Sequence, residues 1–129
     1  LSADVSFRVF EQQEESFIKL PKLANRVSIY INRKDAVLGV SQFSKNILSP
    51  RLGKMGPSEF SKIQDLISVI DCTNVKNDLK PNFKFQVGNH WNYLSSSTVQ
   101  TDIIAVLKDT DQHLIAKRLD VANHTYLLA

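Results

Sequence analysis

The feature that most constrains this chain is Val27-Ser28-Ile29-Tyr30-Ile31, a run built almost wholly of β-branched and aromatic residues. That composition forms a strand. Near-continuous apolarity, in place of strict alternation, predicts burial on both faces, as in a parallel sheet. The next segment suits a crossover helix. Ala36, Val40, Phe43 and Ile47 recur at helical spacing and predict a helix over 36–48 that Ser49-Pro50 stops. Gly39 costs that helix about 1 kcal/mol relative to Ala, which marks a close approach.

The rest of the chain repeats the alternation. Phe7, Phe10 and Phe17 predict a helix over Phe7 to Ala24, broken or restarted at Pro21. Arg51 to Pro57 reads as an irregular loop. It has the glycines and lysine of a phosphate-binding loop, but neither their spacing nor a Ser or Thr after Lys54. Ser58 to Asp65 reads as a short helical turn, Leu66 to Cys72 as a second strand, and Phe83 to Val87 as a third, ended by Gly88-Asn89. Ser97 and Gln100 have the spacing of a capping box, and Val99, Ile103, Val106 and Leu107 fall on one face of the helix it starts. Asp111 to Leu119 reads as another short helix, and Val121 to Ala129 carries no clear pattern. Helix, strand, helix, strand, helix is the order of an α/β domain with two to three mostly parallel strands. So thin a sheet exposes an edge unless further strands pair with it, so part of the domain is expected to lie outside these residues.

Charge and composition exclude several classes. The formal charge of +3 comes from scattered residues such as Lys19, Lys22, Arg26, Arg33 and Lys34, with no dense basic run for nucleic acid. No apolar stretch approaches the roughly 20 residues of a membrane span, and no signal-peptide pattern is present. Cys72 is the lone cysteine, in an apolar run that predicts a buried, inert thiol. A single free thiol suits a reducing compartment such as the cytoplasm. His90, His113 and His124 lack metal-ligand spacing, so no metal site is expected.

Two residues carry candidate chemistry. Asp35 follows the first strand and His90 follows a turn, and groups on such loops meet outside the carboxyl ends of parallel strands. A carboxylate that fixes the tautomer of an imidazole is the acid-and-base half of a catalytic triad. Asp35 equally suits the N-cap of the following helix. Asp71, at the next strand end, is the rival acid, with a turn role beside it. His90 also suits a loop histidine bonded to backbone, His113 a surface position, and His124 is a lesser candidate.

The run Arg26 to Leu38, with its strand, tyrosine, polar triplet, aspartate and Ala-x-Leu helix start, resembles a motif of the alpha/beta-hydrolase superfamily. Within it the resemblance is to a mostly bacterial branch described only as a domain of unknown function. Pro50-Arg51-Leu52-Gly53 resembles that branch's arginine-leucine-glycine loop, Val69-Ile70-Asp71 its later strand, His90 and Tyr93 its histidine motif, and Ala3-Asp4-Val5 the end of an earlier strand. The resemblance spans roughly positions 3 to 107. It implies the C-terminal part of a serine hydrolase of ester or acyl bonds, without cofactor, in which Asp35 orients His90 and His90 serves as base and then acid. Its substrate would be a small-molecule ester or acyl compound. The Gly-x-Ser-x-Gly elbow of that superfamily occurs nowhere in the sequence. The nucleophile is therefore expected from a missing N-terminal segment or an associated chain, and the chain alone is expected to be inactive. The competing expectation is a non-catalytic interaction domain, either a degenerate hydrolase or an unrelated small α/β module, in which Asp35 and His90 lie apart.

Overall fold

The structure, a computed structural model, describes residues 19–44, 50–58, 65–79, 90, 92–122 and 124–129. In chain order these form α1 (Leu20–Leu23), β1 (Val27–Ile31), α2 (Ala36–Ser44), α3 (Leu52–Met55), β2 (Ile67–Asp71), α4 (Asn92–Ser95), α5 (Ser97–Leu107), β3 (Arg118–Ala122) and β4 (Thr125–Leu128). The fold is mixed α/β, with a four-stranded sheet in the order β1-β2-β4-β3. β1 pairs parallel with β2 (Val27 opposite Ile67, Ile31 opposite Asp71), and β2 pairs parallel with β4 (Val69 opposite Thr125). β3 runs antiparallel to β4.

The first two strands form where the sequence predicts them, and their apolarity has the predicted cause. β2 lies between two partners and is buried from Ile67 through Ile70. On one face Ile29, Ile31, Ile67 and Val69 pack against Leu52 of α3. On the other, Ile70, Cys72 and Leu128 pack against Val99 of α5, with Tyr30, Tyr93 and Ile103 around them.

Several expectations need correction. Asp111 to Leu119 is not a helix: turns lead into β3, which with β4 forms a hairpin where the sequence shows no clear pattern. The alternating burial of Thr125, Tyr126, Leu127 and Leu128 wins over the short helical spacing ahead of it. Arg51 to Pro57 is not wholly irregular, since Leu52–Met55 forms one helical turn. The expected apolar face of α2 is also rotated. Val40 is exposed, whereas Leu38 and the preceding Asp35 are buried. The cap of α5 is Ser96 rather than Ser97: its hydroxyl accepts the Val99 N–H, and Asp78 takes the Ser97 N–H. Of the expected apolar face of α5, Val99 is fully buried but Leu107 points to solvent. The Phe83–Val87 strand and most of the Phe7–Ala24 and Ser58–Asp65 segments lie outside the described residues. Among those described, no helix is long and apolar enough to cross a membrane.

A buried polar network fastens the layers. Asp102 of α5 takes two bonds from Arg118 of β3, from Nε at 2.7 Å and Nη2 at 2.8 Å, and one from the Tyr30 hydroxyl of β1 at 2.6 Å. Both charged side chains are about 1% exposed. Burial first, and the bond to Asp102 second, push the Tyr30 phenol well above its ordinary pKa. Removing one member of such a pair strands the other charge, so Asp102→Ala should lower the unfolding free energy by about 3–5 kcal/mol in urea melts. A loss below about 1 kcal/mol, the surface-pair range, would show that the network does not hold the fold.

Gly39 gives a second, opposite prediction. A Cβ there would sit 3.0 Å from Lys54 Nζ, the far end of a flexible side chain. The ammonium can swing away, so Gly39→Ala should stabilise the protein by up to about 1 kcal/mol through helix propensity. A lower thermal midpoint in the variant would show that Lys54 is held in place.

Candidate active site

Because β1, β2 and β4 run parallel, their carboxyl ends share one edge of the sheet, and the connections 32–35 and 72–79 leave from it together. The two connections are laced to each other. The Arg33 N–H donates to Thr73 Oγ1 at 3.0 Å, Arg33 Nε reaches Asp71 Oδ2 at 3.3 Å, and Lys34 Nζ donates to Asn74 Oδ1 at 3.1 Å.

Asp35 occupies the turn into α2 and is fully buried. Its two carboxylate oxygens are divided between two tasks. Oδ1 accepts the Leu38 N–H at 3.0 Å, an N-cap bond to the third helical residue. Oδ2 lies 2.8 Å from His90 Nδ1. Capping and histidine orientation, the two readings of this aspartate in sequence, are thus compatible in one side chain. His90 arrives from a distant part of the chain, 55 positions on, with its ring about 19% exposed.

The chemistry of the contact is set by its atoms. Carboxylate oxygens only accept, so the ring nitrogen that donates in this bond is Nδ1. A partly exposed imidazole backed by a buried carboxylate has the geometry by which a carboxylate orients a histidine ring.

The remaining candidates fall elsewhere. Asp71 is the last residue of β2; its Oδ1 accepts the Thr73 N–H of the following turn at 2.9 Å and its Oδ2 meets Arg33. His113 is exposed, its ring edge-on to Tyr126, and His124 lies 3.5 Å from Asp65. No group of three possible metal ligands occurs among the described residues. Cys72 is buried, and that burial, then the Asp102 and Asp71 charges, push its thiol up to about 12. Ser95 donates to Asn77, Ser96 caps α5, and Ser97 bonds Asp78. The side chain of Ser41, together with Gly88, Asn89 and Trp91, lies outside the described residues.

Two features of the site region escape the sequence reading. Asn32, buried at the end of β1, organises the turn that carries Asp35. An Asn two residues before a bonded N–H is the signature of an Asx turn, which could have marked it. Asp102 sits within a helical stripe and Arg118 within an expected helix, so neither carries a local signal.

The fold and site together define a mixed α/β unit with a buried carboxylate–imidazole pair at the carboxyl edge of parallel strands. No protein family, no curated protein and no solved structure matches the chain.

The double duty of Asp35 separates two substitutions. Asn caps helices about as well as Asp, whereas Ala forfeits about 1 kcal/mol. Asp35→Asn should therefore be more stable than Asp35→Ala by about that amount in denaturant melts, and equal loss in both would show that the cap contributes nothing. Cys72 supplies a further check. At pH 8 the folded chain should resist iodoacetamide and react only on unfolding, as followed by intact-mass measurement; rapid labelling of the native protein would contradict its burial.

Proposed function

We propose that this chain supplies the acid and base of a serine-hydrolase triad, as the C-terminal part of an alpha/beta-hydrolase domain acting on a small-molecule ester or acyl bond. The observation that carries the reading is the 2.8 Å contact of Asp35 Oδ2 with His90 Nδ1, made by a fully buried carboxylate at the carboxyl edge of parallel strands. In this reading Asp35 holds the His90 ring and stabilises the imidazolium. His90 Nε2 takes the serine proton during attack and returns it to the leaving group. The order Asp then His is that of the superfamily. No cofactor is required. Serine and oxyanion donors come from outside these 129 residues, since no Gly-x-Ser-x-Gly elbow occurs within them.

A second reading, a non-catalytic association module, expects Asp35 and His90 apart, which their 2.8 Å contact contradicts, but the exposed Leu119 and Val121 side chains of β3 favour it. The two are separated by fluorophosphonate labelling. A longer polypeptide containing these residues, or the chain with its associated subunit, should be labelled on a serine, and the 129-residue chain alone should not. Asp35→Asn in the labelled protein should then lower kcat roughly 10,000-fold. No labelling in any such assembly, or full activity of that variant, would remove the hydrolase reading.

A further inference from the structure

We infer that Asn32 is a positioning residue for the Asp35–His90 pair, fixing the carboxylate through the turn that carries it. This rests on that pair being the functional one. Asn32 is 5% exposed, so its polar groups depend on protein partners. Its backbone N–H donates to the Gly53 carbonyl at 2.9 Å, tying the end of β1 to α3. Its carbonyl accepts the Asp35 N–H at 3.1 Å, and its side-chain Oδ1 accepts the Lys34 N–H at 3.0 Å. One residue thus grips the backbone of Lys34 and of Asp35 from the inside. The bonds of Arg33 and Lys34 to Asp71, Thr73 and Asn74 hold the same turn from the exposed side, where each competes with water.

The consequence is geometric. Asp35 Oδ1 is committed to the Leu38 N–H, so the direction of Oδ2 is set by the backbone at 32–35. A turn free to rock would swing Oδ2 off His90 Nδ1. The ring would then sample both tautomers, and the base nitrogen would be protonated part of the time.

The test is spectroscopic and needs no turnover. In the 129-residue chain, imidazole 15N shifts of His90 should show a single Nδ1–H tautomer with a slowly exchanging proton. In Asn32→Ala that proton should exchange about tenfold faster or vanish, the scale of one net hydrogen bond, with both tautomers visible while the amide spectrum stays folded. Asn32→Ser, which keeps a neutral acceptor for the Lys34 N–H, should restore much of the signal. A folded Asn32→Ala protein with the wild-type His90 signature would overturn the assignment.

Should that variant not fold, the wild type decides. In sub-denaturing urea, protection of the Lys34 and Asp35 amides should be lost together with the His90 Nδ1–H signal, and separate losses would overturn the inference. Because the readout is a tautomer, failure here leaves serine labelling as an intact test of the hydrolase reading. Failure of labelling leaves the Asn32 result standing.

Discussion

The arrangement of the whole unit depends on the Asp102 carboxylate. It sits on α5 above the middle of the sheet, yet its partners come from opposite flanks, Tyr30 on β1 and Arg118 on β3. A buried charge is tolerated only when paired and hydrogen-bonded, and in the folded core both partners meet the one carboxylate. Their meeting fixes the rotation of α5. That rotation places Val99 over Ile70 and Leu128 and leaves Leu107 in solvent. The apolar stripe still faces the core through Val99 and Ile103, and only its last residue, Leu107, is left outside. The Asp102 contact also holds Tyr30 two residues before Asn32, so the end of β1 is placed before the turn beyond it begins.

That turn shows how a single carboxylate serves two contacts at once. The Asp35 carboxylate terminates a helix and meets an imidazole with different oxygens. Each task restricts the other, because a side chain with one oxygen committed has little torsional freedom left.

The sequence made part of this legible. The strands at 27–31 and 67–71 follow from continuous apolarity; β2 is buried on two faces, whereas β1 buries Ile29 and Ile31 and only half-buries the residues between and before them. The contact of Asp35 with His90 is suggested by residue type and by the place of Asp35 just beyond the carboxyl end of β1. The hairpin at 118–128 was not legible, for its pattern is set by a neighbour: β4 becomes a strand because β2 needs a second partner, and β3 because β4 then has an open edge. Long-range polar pairing was equally hidden. Asp102 and Tyr30 are 72 residues apart, and nothing local distinguishes this aspartate from a solvated one.

The same separations set an order of events in assembly. Arg118 lies only 16 residues from Asp102, whereas Tyr30 lies 72 away and His90 meets Asp35 across 55. Closing a chain segment costs entropy that rises with its length, so the C-terminal quarter, α5 with the β3–β4 hairpin, is the least costly part to close. β1 joins by long-range parallel pairing, which is intrinsically slow. The carboxylate–imidazole contact is then among the last to close, and during synthesis it cannot form until His90 has emerged, long after Asp35.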